Sequence, residues 1–326
     1  MDPKIIAALV TSATSLFVAI WVYITNRKSQ HDLELLKADL SRVNAEQDAR
    51  RDYEYDARKR LYEECEPLLF QMSELAENAQ HRIFSLARTT LQGNLPYWLN
   101  QEGYYLRSTI YHLLSPHTVF RMIQRRLTTI DLKVEPIIRS QYKLMKLCYL
   151  LFTEDFTLAN CEPKLKYDPN IKDWRKKREE NQRVYWRQGL PIGRLDNSIE
   201  CLIKNNNSSF CISFGEFEKE ILKDESLIKP QIKMAYDLFI GFHPNNRPIL
   251  WRILITQAIV YSYLIKIHQS RSLNVDFSLN ALSDMREACY WKKQSDKETE
   301  KQKDEFEIAY DYLKNRVPFF TCSGSK

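Results

Sequence analysis

The chain has 326 residues, 48 basic against 42 acidic side chains, a net charge of +6, and 12% aromatic residues. That length suffices for one large or two ordinary domains, and only seven glycines leave little room for tight β-turns or phosphate-cradling loops, so an all-α body with aromatic packing is expected. Seven cysteines (Cys65, Cys148, Cys161, Cys201, Cys211, Cys289 and Cys322) are odd in number and scattered, which argues against a secreted disulfide framework and for reduced structural thiols.

The first predicted element is the stretch IIAALVTSATSLFVAIWVYIT, which opens at Ile5 and closes at Thr25 and holds 21 residues without a charge. About 20 apolar residues cross a hydrocarbon core. Trp21 and Tyr23 lie near its end, and Asn26, Arg27 and Lys28 follow as a polar, basic stop. A cleaved signal sequence needs a shorter apolar core and a small-residue cleavage site, neither of which is present. Residues 1–28 are therefore expected to be a single-pass transmembrane anchor that meets the lipid bilayer through residues 5–25. Lys4 precedes the stretch, whereas Arg27, Lys28, Lys37 and Arg42 follow it. The positive-inside rule then puts the bulk of the chain in the cytoplasm.

Residues 29–64 read as a charged helical stalk. Leu33, Leu36, Leu40 and Val43 fall at a and d spacing, but Gln47, Arg50 and Glu54 occupy the next such sites. Two heptads allow either self-association as a coiled coil or a solvated helix supported by opposite charges such as Arg42 and Glu46. A straight helix over 26–64 would be roughly 60 Å long.

A helical domain follows in two halves, residues 65–160 and 193–315. Leu61, Cys65, Leu68, Leu69, Met72, Leu75, Ala76, Ala79, Ile83, Leu86 and Ala87 share one helix face. Pro67 is expected to kink this helix or to mark the start of the globular domain, and Gln92-Gly93-Asn94 breaks the chain. Ser115-Pro116 has the form of an N-cap and first helical residue, opening a helix through Leu127. Pro136 opens a helix over 137–152. In the second half, helices are expected over 196–203, after a capping box at Ser213 and Glu216, over 228–241, and over 278–292 and 296–315. The last is heavily charged and expected on the surface. Residues 248–267 are strongly apolar, but Arg252 and Gln257 interrupt them, leaving 13 residues free of formal charge (253–265), a core-helix length. Residues 316–326 read as a flexible tail, and Cys322 misses the four-residue prenylation box.

No phosphate-binding, dinucleotide-binding or nucleophile-elbow motif is present, and the six histidines never fall at paired metal-ligand spacing. No cofactor and no metal site is expected. Arg107 and His112, in RSTIYH, share the R-x4-H spacing of HEPN-type ribonucleases, which the chain resembles over those six residues and in its helical character. The resemblance implies metal-independent RNA cleavage, with Arg107 steadying a phosphate and His112 near the 2′-hydroxyl. A five-residue offset separates the two by about 140° around a helix, so they converge only at a helix end or kink.

The charge itself is concentrated. Residues 164–187 carry 9 basic and 4 acidic side chains, a net of +5. In this basic aromatic linker, assigned to residues 161–192, Lys172, Arg175, Lys176, Lys177, Arg178 and Arg183 alternate with Tyr167, Trp174, Tyr185 and Trp186. Cations neutralise phosphates, and aromatic rings stack on bases or sit among lipid headgroups. Anionic lipid and nucleic acid both fit, as does a solvated loop whose rings pack on the core. The chain is thus expected to be a membrane-tethered cytoplasmic interaction or scaffold protein without an evident catalytic site. The alternative is a membrane-anchored nucleic-acid-binding effector with HEPN-like nuclease chemistry.

Overall fold

The computed structural model describes residues 2–91, 99, 103–129, 131–165, 167, 188–204, 210–244, 247–276, 278–289 and 304–317. All regular structure among them is helical, apart from isolated β-bridge positions that include the pair Ile203 and Cys211. The chain divides into two compact units, Met1–Lys59 and Arg60–Lys326. Helix α1, Pro3–Leu91, contributes to both.

The first unit is a single helix. Its described side chains are exposed except for the partly covered Glu54 and Ala57. Five Ser and Thr hydroxyls interrupt its apolar stretch, and each is satisfied within the helix. Thr11 Oγ1 donates to the Ala7 carbonyl at 2.6 Å, Ser15 Oγ to Thr11 at 2.7 Å and Thr25 Oγ1 to Trp21 at 2.8 Å; Ser12 and Thr14 bond back in the same way. In the stalk, Arg42 pairs with Asp39 at 3.8 Å rather than with Glu46.

In the second unit the α1 face expected from periodicity is buried from Leu61 to Ala87, with Leu75 half-covered. Pro67 neither ends nor begins the helix. It lies on the exposed side, where the Glu63 carbonyl that loses its amide partner can bond water. Helix α2, Tyr104–Arg126, also corrects an expectation, because it runs through Ser115-Pro116 instead of starting there. The His112 carbonyl that Pro116 leaves without an amide donor has the Ser115 hydroxyl at 3.5 Å, the limit of a hydrogen bond. Burial of nearly every residue from Leu106 to Ile123 outweighs that local defect.

Helix α3, Pro136–Leu151, and the short α4, Asp155–Ala159, precede the basic segment. After it come α5, Ile192–Glu200; α6, Phe214–Ile221; and α7, Lys229–Phe239. The capping box on α6 is formed, with Ser213 N donating to Glu216 Oε2 at 2.8 Å and Glu216 N donating to Ser213 Oγ at 3.2 Å. Helix α8, Pro248–Ser270, is the centre of the unit, apolar around its circumference and packed by α3, α4 and the last helix.

Short helical turns at Asn280–Leu282 and α9, Ser283–Ala288, stand where a longer helix over 278–292 was expected. Helix α10, Glu305–Arg316, is not the surface element its charge implied. Phe306, Ile308, Ala309, Tyr310, Tyr312 and Leu313 are buried, because an aromatic face is turned toward α8, while the acidic residues Asp304, Glu305, Glu307 and Asp311 are half-buried. The tail beyond Val317 lies outside the described residues.

Candidate functional site

The clearest organised feature is the base from which the basic segment departs and to which it returns. It is assembled from α8 outward. The Arg252 side chain is fully buried in a helix that is otherwise almost wholly apolar. Its guanidinium donates to the carbonyls of Leu158 at 2.9 Å, Cys161 at 3.2 Å and Pro163 at 2.9 Å, and pairs with the Glu305 carboxylate, Nε to Oε2 at 2.5 Å. Three of these acceptors are carbonyls at and after the end of α4, so one planar cation joins the last turn of α4 to the stretch leading into the segment. Burial of a charge is tolerated because every donor direction is used.

Tyr167 is the next fixed point. Its hydroxyl donates to Asp155 Oδ2 and accepts from the backbone N–H of Gln188 at 3.0 Å, while its ring sits edge-on to Phe156 at 5.2 Å between centroids. The chain therefore leaves at Tyr167 and re-enters at Gln188 through a direct hydrogen bond. Gln188 is itself buried, and its Oε1 accepts from the N–H groups of Ile249 at 2.8 Å and Leu250 at 3.2 Å, capping the amino end of α8. Gly189 is required by close approach, since a Cβ there would lie 2.5 Å from the Phe152 carbonyl oxygen and 2.8 Å from Asp155 Cγ. Leu190 N completes the closure by donating to Phe152 O at 2.7 Å.

Lys172, Arg175, Lys176, Lys177, Arg178, Arg183, Trp174 and Trp186 lie outside the described residues. Of the aromatic residues counted with them, Tyr167 serves the base and points inward. Residues 188–190, grouped with the linker from composition, are buried.

Arg107 and His112 both meet α6. Arg107 lies in the first turn of α2 and bonds Glu218 Oε1 through Nη2 at 2.8 Å and Nε at 3.2 Å. The His112 ring stacks on Phe214 at 6.0 Å and 19°. Burial, with a smaller contribution from the Arg82 cation, lowers the His112 pKa to about 4, so it is neutral at pH 7. Its Nδ1 is buried with no hydrogen-bond partner among the described residues. The two side chains approach the same helix, where the Arg107 charge is met by the Glu218 carboxylate.

Sequence reasoning missed a second buried polar group beneath α8. His117 Nε2 lies 3.2 Å from Gln257 Nε2 and 3.5 Å from the Tyr261 hydroxyl, and burial lowers its pKa to about 3. Cys148 borders the same group and burial pushes its thiol up to about 12; Cys201, Cys211 and Cys289 are raised as far for the same reason. Protonated thiols of this kind are poor nucleophiles and poor ligands. No group of three His, Cys, Asp or Glu side chains among the described residues is placed to hold a metal ion. The chain matches no protein-family model, no curated protein and no solved structure.

Proposed function

We propose that the chain is a membrane-tethered cytoplasmic scaffold that presents its basic aromatic segment to an anionic partner from a fixed base. The observation that carries this reading is the contrast between two helices long and apolar enough to span a bilayer. The most apolar window of α8 is 83% buried by protein, whereas that of the N-terminal helix is 0% buried. Phe17 is 76% exposed and Trp21 is 70% exposed, an arrangement that water penalises and hydrocarbon does not. The Lys and Arg bias across residues 5–25 supports a cytoplasmic second unit.

A nucleic-acid ligand is the second reading, favoured by the +5 charge of residues 164–187 and their interleaved tryptophans. Catalysis is not part of the favoured reading, since Arg107 is engaged by Glu218 and His112 is held neutral against Phe214.

The test is extraction of membranes from cells expressing the full chain at alkaline pH. Retention in the pellet, with release when residues 2–25 are deleted, is the expected result, and a soluble full-length chain would overturn the anchor. Adding single-stranded RNA to the detergent-solubilised chain at low salt separates the partner readings. Cleavage abolished by His112→Ala would sink the scaffold in favour of the nuclease.

A further inference from the structure

We infer that residues 29–51 form a parallel, in-register, two-stranded coiled coil with a second copy of the chain. The inference deepens the scaffold reading and rests on it only for the local concentration that a shared membrane supplies. Leu33, Leu36, Leu40 and Val43 stand at successive a and d positions of one helix and are 49%, 61%, 54% and 42% exposed. Nothing in the first unit covers them, and a stripe of this width is the seam of a two-stranded supercoil.

The partner is identified by charge. In this register the g positions are Asp32, Asp39 and Glu46, all acidic, and the e positions are Lys37, Asn44 and Arg51, none acidic. In a parallel pair each g residue faces the e residue five positions on in the other copy. Asp32 then meets Lys37, and Glu46 meets Arg51, so ion pairs bracket the apolar core at both ends. In an antiparallel pair g faces g and e faces e, which sets carboxylate against carboxylate and Lys37 or Arg51 against a cation. Within one chain Arg51 is paired with Asp48, an exposed contact that exchanges readily for one across the seam. An unrelated helix has no reason to match this pattern, but a second copy matches it by construction.

The same register runs back through Ser29, Asn26, Val22, Ala19, Ser15, Ser12 and Ala8. The Ser12 and Ser15 hydroxyls already bond their own helix, and these positions are small enough not to obstruct two helices approaching within a bilayer. Two apolar heptads are a short seam in free solution. Confinement to one membrane in one orientation raises the effective concentration without any new contact and favours the parallel arrangement.

The experiment uses the full chain in the membranes of expressing cells, oxidised with copper phenanthroline and run on non-reducing gels. Val43→Cys places a thiol at a d position, and Ala45→Cys places one at the outward f position. The wild-type chain sets the background from its own cysteines. Val43→Cys is expected to give a disulfide-linked dimer well above that background, and Ala45→Cys is not. On the Val43→Cys chain, Glu46→Lys turns two symmetry-related attractions into repulsions and should lower the dimer about tenfold. Adding Arg51→Glu should restore it. A Val43→Cys signal at wild-type background, or equal signals from both positions, overturns the coiled coil. Failure of the double charge swap to restore the dimer overturns the parallel register. If the chain is found in the soluble fraction, the anchor has failed, and the same gels on that fraction still read the stalk.

Discussion

Residues 5–25 and helix α8 are both long, apolar helical stretches, yet they handle polar atoms in opposite ways. In the first, each Ser and Thr hydroxyl bonds a carbonyl one turn back in its own helix. The second carries Arg252, Gln257 and Tyr261, whose partners belong to other helices and to the loop after α4. A helix wrapped by protein can bury strong donors because neighbouring segments supply acceptors. A helix in hydrocarbon has only its own backbone to offer. On the proposed reading, the polar content of an apolar helix, and not its apolar content alone, separates a core element from a spanning one.

The comparison can be broken by substitution, and the largest effect is expected in α8. Arg252→Leu strands Glu305 and removes the guanidinium donors from the carbonyls of Leu158, Cys161 and Pro163, so the second unit should lose about 3–5 kcal/mol in denaturant titration. Val18→Arg tests the other helix. A charge near the middle of a span costs about 3 kcal/mol of insertion free energy. It should therefore move the chain out of the membrane fraction while leaving the unfolding midpoint of the second unit unchanged. If Val18→Arg instead lowers that midpoint, residues 5–25 are packed by protein and the contrast fails.

Smaller changes sharpen it. Gln188→Ala removes the side-chain acceptor from two amides at the start of α8, and loss of such a cap costs about 1 kcal/mol, read as a small drop in melting temperature. Acidification probes the group around His117. Buried His117 stays neutral down to about pH 3, but in the unfolded chain it takes up a proton near 6.5. Between these values the unfolded state binds more protons, so stability falls as pH falls through that window. His112 adds a loss of the same sign between 6.5 and about 4. The melting temperature should drop from pH 7 to pH 5, with a shallower slope in His117→Gln. An unchanged slope in that variant would show that other groups carry the acid sensitivity.

The face from Leu61 to Ala87 was readable because half-burial writes a helical period into the sequence. Pro116 was misread for the opposite reason. Ser-Pro is a local start signal, and the burial that overrides it comes from helices more than 20 residues away in either direction. Helix α10 was misread because the charged run KETEKQKDEFE overlaps only its first turn, while Phe306, Tyr310 and Leu313 record the buried face. At the basic segment, composition located the charge but not its base. The acceptors for Arg252 lie 89 to 94 residues earlier in the chain, and no spacing rule connects them. A lone arginine in an apolar helix was the available signal, and it was read only as an interruption.

The hydrogen bond between Tyr167 and Gln188 ties together the residues that flank the 20 residues numbered 168–187. A protease cut between Tyr167 and Gln188 would leave both fragments held by the same core, so a nicked chain should still migrate as one body until denatured. Length is equally free to vary. Doubling the length of a loop adds only about 0.6 kcal/mol to the entropy of closing it. The base is thus a socket, able to carry segments of different length and charge without renegotiating the fold beneath.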